Sequence, residues 1–323
     1  MTFDRRIWKT GVLAVVATLI FAVFVFRVEE FTRGLNSEFI VYGQSGSGGG
    51  TSGGGTTSGC TTTNASGTSS STCVTKIIPQ ISIGSFDGNL QSLSTIIQIV
   101  NTGTAAATIS GNFYNEPGTA ATLAMTYSNG GGAATSFTGS FSNLSLAVNG
   151  VLVINGTTTQ PTYTPLWGKI VSTASITISS VFEVRNVATG EVLTRVGVPA
   201  SDDNMKKFAI PRIVNGNAAG LLATIDTGFA IVNTGTAAGI LTATLRKADG
   251  TTVATKTGWS FNAGEKKVGF LHDLFPLTTE TPGRSYQFVV LEQTSPATTG
   301  QFGAMALGIE GVSLTSFPVD KLQ

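Results

Sequence analysis

The sequence predicts an all-β chain: two tandem β-sandwiches behind an N-terminal transmembrane helix and a Gly/Ser/Thr-rich linker. Three observations predict it. Ile109, Gly111 and Phe113 alternate with polar residues, and so do Leu241, Ala243 and Leu245; a period of two marks strands with one buried face. The stretch Ile99-Val100-Asn101-Thr102-Gly103-Thr104-Ala105-Ala106 recurs as Ile231-Val232-Asn233-Thr234-Gly235-Thr236-Ala237-Ala238, at an offset of 132. Ile78-Pro79-Gln80-Ile81 recurs as Ile210-Pro211-Arg212-Ile213 at the same offset, so the second half duplicates the first. Short apolar runs with Gly-rich turns between them fit sandwiches.

The N-terminus reads as a membrane signal. Residues 1–9 hold Arg5, Arg6 and Lys9 against Asp4, and an uncharged run of 17 residues follows from Thr10 to Phe26. As a helix that run spans about 25 Å, the short end of a bilayer crossing. The basic flank keeps residues 1–9 in the cytoplasm and exports the rest. No small-residue cleavage site follows Phe26, which favours an uncleaved, single-pass signal-anchor at 10–26 over a cleaved signal peptide and a secreted protein. Residues 27–75 form a low-complexity stalk, nearly all Gly, Ser and Thr from Gly43 onward. Cys60 and Cys73 lie in it. Outside the cytoplasm they are candidates for a disulfide closing a 14-residue loop; two unpaired or intermolecular thiols are the alternative.

The repeat divides the remainder into β-sandwich module 1 (76–203) and module 2 (204–323). Asp249-Gly250 reads as a turn after Leu245, and Pro117-Gly118 holds the matching place. Downstream, Phe141 pairs with Phe261 and Phe182 with Phe302 at an offset of 120, so the first copy carries extra residues, placed within Thr119–Thr138 around Asn129-Gly130-Gly131-Gly132. The modules end alike, at Val198-Pro199 and Phe317-Pro318. Further candidate strands are Ser145–Ile154, Lys169–Arg185, Tyr286–Gln293 and Gly303–Glu310. One helix is expected, Gly264–Phe275, with Val268, Leu271, Leu274 and Phe275 on one face.

The two Ile-Val-Asn-Thr-Gly-Thr-Ala-Ala stretches resemble the strand-and-turn signature of bacterial extracellular immunoglobulin-like modules of the CARDB and ASH-like kinds. The frame Ile210-Pro211, Asp226-Thr227-Gly228-Phe229-Ala230-Ile231 and Phe317-Pro318-Val319 is similar to that of tandem modules in uncharacterised exported proteins. The resemblance covers both modules and implies an immunoglobulin-like fold with a surface, adhesive or architectural role. It supplies no catalytic residue. The first copy departs from the frame, with Ser94-Thr95-Ile96-Ile97 where the second has Asp226-Thr227-Gly228-Phe229.

Composition narrows the chemistry. A net charge of +1 leaves no footprint for nucleic acid. One His and two Cys make no zinc cluster. His272 is the one imidazole; on a helix the adjacent Asp273 would point about 100° away and orient it poorly. Asp226 reads as a turn carboxylate bonded to its own backbone. Asp202-Asp203-Asn204 has calcium-type oxygens but no calcium-loop spacing, and Lys206-Lys207 follow at once. No cofactor is expected and no catalytic set is assigned. Trp167 and Trp259, with Tyr127 and Tyr163, form a possible ligand platform for sugar stacking; core or edge-strand packing is the alternative. Between Phe39 and Phe182 only Lys76, Asp87, Glu116 and Lys169 are charged, whereas residues 183–323 carry 12 charges of each sign. The neutral stretch suits contact with itself, an envelope protein or a neutral polysaccharide; composition drift is the bland alternative. The expectation is a non-enzymatic, membrane-tethered protein of adhesion or envelope architecture, extracytoplasmic over 27–323, with a carbohydrate-binding module as the alternative.

Overall fold

The computed structural model describes residues 73–156, 162–216, 225–275, 283–296, 300–310 and 313–323. The expected transmembrane helix, residues 1–9, Cys60 and nearly all of the stalk lie outside them. Among the described residues no helix is long and apolar enough to cross a membrane. Cys73, the first of them, is disulfide-bonded.

The described chain is all-β and its sheets are antiparallel, in a sandwich-like arrangement. The first copy runs β1 (Val74–Phe86), β2 (Gln91–Asn101), β3 (Ala107–Asn115), β4 (Ala124–Asn129), β5 (Thr135–Thr138), β6 (Ser140–Leu146), β7 (Val151–Asn155), β8 (Thr164–Ser172), β9 (Ile176–Asn186) and β10 (Val192–Pro199). One layer has the order β1-β8-β3-β6. The facing layer is β5-β4-β7-β2-β9-β10. β1 pairs with β8 as far as Ile83 and with β2 from Gly84, so it bends from one layer into the other. Ile78, Ile81, Ile97, Ile99, Ile109, Phe113, Leu152, Ile154, Ile170 and Ile178 fill the space between the layers.

The second copy runs β11 (Lys207–Gly216), β12 (Ile225–Asn233), β13 (Gly239–Lys247), β14 (Thr252–Phe261), β15 (Lys266–Phe270), α1 (Leu271–Leu274), β16 (Gly283–Ser295), β17 (Phe302–Glu310), β18 (Ser313–Phe317) and β19 (Asp320–Lys321). Its layers are β14-β13-β16-β11-β19 and β15-β12-β17-β18. Phe208, Ile210, Phe229, Ile231, Leu241, Leu245, Phe261, Val289, Leu291 and Phe302 form a second buried cluster.

The strand registers show which residues of the copies correspond. Ala107 lies opposite Leu146, and Gly239, its counterpart, lies opposite Phe261. Leu146, not Phe141, is therefore the partner of Phe261. By the same comparison Asn101 faces Ile176 and Asn233 faces Phe302, so Ile176, not Phe182, matches Phe302. The aromatic-to-aromatic matching read from sequence missed these because the core position tolerates Leu, Ile or Phe alike. The extra residues of the first copy form the hairpin β4–β5, turned at Asn129–Gly132, where the second copy has only the Asp249-Gly250 turn. The two Gly turns are equivalent: Gly118 N–H donates to Asn115 O and Gly250 N–H to Lys247 O, both at 2.9 Å.

Three local expectations are corrected. Gly264–Phe275 is not one helix; Lys266–Phe270 pairs with β12 as a strand, and only Leu271–Leu274 is helical. Val268 points outward at 49% exposure, while Leu271 and Phe275 are buried. Ser145–Ile154 and Lys169–Arg185 each break at a turn, the first at Asn149-Gly150 with Asn149 at a φ of 59°.

The repeated Asn has a structural task. Asn101 and Asn233 are fully buried. Asn101 Nδ2 donates to Ala105 O at 2.9 Å and to Leu146 O and Ala147 O at 3.0 Å, and its Oδ1 accepts from Gly103 N–H at 2.9 Å. Asn233 repeats this on Ala237 O, Asn262 O and Gly235 N–H at 2.9, 2.8 and 3.0 Å. One buried amide thus closes the turn after its strand and ties it to the opposite layer, with its own donors and acceptor satisfied by backbone.

Candidate functional site

The most built-up place outside the two cores is the contact between the copies. β12 reads Phe229-Ala230-Ile231-Val232 with no polar residue, and both its faces are buried. Phe229 and Ile231 enter their own core, whereas Ala230 and Val232 face the first copy. β17 does the same: Phe302, Ala304 and Ala306 turn inward, and Met305 and Leu307 pack on Phe182, Val196 and Val198. A strand buried on both faces loses the alternation of one with a wet side.

Trp167 lies in this contact. It is 3% exposed and packs with Ile77, Val232 and Tyr114, whose ring stacks on it at 4.3 Å. It offers no face to a ligand, so the expected pairing with Trp259 fails. Trp259 sits on the outer strand β14, partly buried, edge-on to Phe229 at 5.6 Å and beside Phe261 at 4.9 Å. Tyr127 packs against the first core with Phe137 and Phe141. Tyr163 is held against Gln80 and Ser82, and burial pushes its hydroxyl up to about 12. The four aromatics form no common platform.

Polar groups complete the contact. Across it, Lys266 N–H donates to Glu116 O at 2.8 Å, Ala304 N–H to Ser201 Oγ at 3.1 Å and Thr234 Oγ1 to Asp203 O at 2.6 Å, while Ile77 and Ser201, both of the first copy, exchange backbone hydrogen bonds at 2.8 Å. The run Asp202-Asp203-Asn204, at the joint of the copies, meets lysines of its own copy on each side: Asp202 pairs with Lys76 at 2.8 Å and Asp203 with Lys169 at 4.0 Å in the first, and Lys321 Nζ donates to Asn204 Oδ1 at 2.6 Å in the second. The oxygens of a calcium reading are thus engaged by cations. Among the described residues no group of three or more His, Cys, Asp or Glu is arranged to hold a metal ion. Beside this run lies a cleft of about 350 Å3, lined by Val198, Ser201, Met205, Met305, Asp320 and Lys321 among others. Its mixed lining carries no convergent polar set.

Sequence reasoning passed over Lys266. It stands in Glu265-Lys266-Lys267, which reads as a solvated charge run, yet its side chain is fully buried at the contact. Nζ donates to Gln80 Oε1 at 2.9 Å and to Leu166 O at 3.1 Å, and Glu116 Oε1 lies 3.6 Å away. Burial lowers its pKa to about 8, against the pull of Glu116. The inverted pattern of β15, Lys266 inward and Val268 outward, defeats any polarity rule.

A second polar cluster lies at the other end of β12. Asp226 is on the strand, not in a turn. Its Oδ1 accepts from Thr227 N–H at 2.7 Å, and its Oδ2 bonds His272 Nδ1. His272 Nε2 lies 3.2 Å from Asp273 Oδ1. His272 and Asp273, expected to diverge, thus meet through their side chains although they are adjacent on α1. Phe270 stacks on the imidazole at 5.5 Å. The Asp226 bond raises the His272 pKa above 6.5, against desolvation. The arrangement has no counterpart at Ser94 and clamps α1 to β12. Folding creates the bond, so its stabilisation is complete below the unfolded pKa of about 6.5 and fades as pH rises through the higher folded value. Asp226→Asn is expected to bring the His272 pKa down and flatten this slope. Titration of the imidazole by NMR checks it; an unchanged pKa contradicts it.

Comparisons with known proteins assign no family. No family model matches the chain. No curated protein matches it either. Among solved structures, a lectin from Pleurotus ostreatus in complex with GalNAc is 11% identical over 77% of this chain and 81% of that one, with a TM-score of 0.15. A likeness at that score carries no argument about fold or ligand.

Proposed function

We propose that the chain carries two immunoglobulin-like sandwiches in tandem, residues 76–203 and 204–323, held outside the membrane by the helix 10–26 and the stalk 27–75. It works without catalysis, in adhesion or envelope architecture. The observation that carries this reading is the two-sided burial of β12 and β17. It spends the second copy's outward apolar face on the first copy, so the pair presents one stiff surface to a partner. The repeated motif supports the same reading, because Asn101 and Asn233 serve the fold and face no ligand. The tether supplies reach and raises the local concentration of that surface at the envelope.

The alternative is a carbohydrate-binding module. Its support is Trp259, which is only partly buried on the outer strand β14. One experiment separates the two. Full-length protein in detergent is sedimented with insoluble cell wall, with exopolysaccharide, and alone. The architectural reading expects no saturable pelleting with purified polysaccharide and retention on protein-containing envelope. Saturable pelleting with polysaccharide that Trp259→Ala abolishes would replace it with the carbohydrate reading.

A further inference from the structure

We propose that Lys266 and Gln80 are the two ends of an intramolecular amide bond that joins the copies covalently. Three features converge. The Lys266 side chain is fully buried, and its Nζ lies 2.9 Å from the Gln80 carboxamide oxygen. The carbonyl carbon is one C=O bond, about 1.2 Å, behind that oxygen, so a short shift of the amine from the oxygen onto the face of the carbonyl brings it to the carbon. A carboxylate, Glu116, stands 3.6 Å from the amine, and the departing nitrogen, Gln80 Nε2, is held by donating to Ser82 Oγ at 2.8 Å and to the Tyr163 hydroxyl at 3.1 Å.

The chemistry balances without a co-reactant. The Nζ lone pair forms a bond to Gln80 Cδ, and the bond from Cδ to Nε2 breaks. Nζ loses one proton to the Glu116 carboxylate and Nε2 gains one as it leaves, so that Glu116, which takes up the first and gives up the second, ends as it began. A primary amide and an amine become a secondary amide and one molecule of ammonia; no atom is oxidised or reduced. The nucleophile must be the neutral amine, and burial, which lowers Lys266 to about 8, makes that form accessible near neutrality. Holding amine and carboxamide together turns a slow bimolecular exchange into an intramolecular one, with effective molarities of about 10⁵ M or more for well-oriented pairs. Glu116 is partly exposed, which lets the proton and the ammonia leave.

The test is mass spectrometry of the folded, full-length protein. The expected intact mass is lower than that of the disulfide-bonded sequence by one ammonia. Proteolysis should yield a branched peptide in which the segment carrying Lys266 is joined to the segment carrying Gln80. Asn-Gly pairs such as Asn129-Gly130 also lose ammonia by cyclising, so the branched peptide is the deciding product. Lys266→Arg should restore the full mass, and Glu116→Gln, which leaves both reacting groups in place, should slow formation at least tenfold. An unmodified mass after prolonged incubation of folded protein overturns the proposal. So does an ammonia loss that maps to any other residue pair.

Discussion

Asn233→Ala is expected to lower the stability of the chain by about 2–4 kcal/mol, since it removes several hydrogen bonds made by one buried amide and leaves a hole where that amide sat. The side chain is fully buried, and the substitution strips Ala237 O, Asn262 O and Gly235 N–H of a partner at once. Asn101→Ala is expected to do the same in the first copy, where Ala105 O, Leu146 O, Ala147 O and Gly103 N–H depend on one amide. Asn→Asp at either position should not rescue. A carboxylate can accept from the glycine N–H but cannot donate to three carbonyls, and it would be a charge buried beside them. Urea denaturation measures both. A loss below about 0.5 kcal/mol, the range of an ordinary surface change, would contradict the role assigned to the repeat motif.

The second large effect is expected at Gly118, and the repeat supplies its control. Gly118 and Gly250 hold matching turns, with φ of 89° and 85°. Valine at either strains the left-handed backbone by about 1–2 kcal/mol. Around Gly250 there is open space, whereas a Cβ on Gly118 would lie 2.7 Å from the Gly264 backbone of the other copy. Backbone on both sides cannot yield as a side chain would. Gly118→Val is therefore expected to cost roughly 1–3 kcal/mol more than Gly250→Val, the range for overpacking. The difference between the two, measured by denaturation, reports the contact between the copies. Equal losses would mean that the copies do not press together there.

Much of this architecture was legible in the residues. The period-two stretches at Ile109–Phe113 and Leu241–Leu245 are strands, β3 and β13, and the Gly118 and Gly250 turns fall where the repeat puts them. The first copy's excess is the β4–β5 hairpin within the stretch expected for it. The junction was harder to see, though its signal was present: Phe229-Ala230-Ile231-Val232 and Phe302–Leu307 lack the polar half of an alternating strand. Such a run says that two faces are covered but not what covers the second. Trp167 could not be assigned to the junction for the same reason, since a tryptophan serves a sugar face and an apolar contact equally well. Lys266 was beyond reach, because its burial depends on Gln80 and Leu166, both from the other copy. Asp226 and His272 are 46 residues apart, and only the pairing of β12 with β15 brings them together.

The two copies form one unit through an apolar and polar contact. Differential scanning calorimetry of the full-length chain tests it most directly. A single transition is expected, with van't Hoff and calorimetric enthalpies that agree, because neither copy can unfold without exposing the outward faces of β12 and β17. Two separated transitions, with Gly118→Val leaving both unmoved, would mean that the copies are independent beads on a string and would contradict it.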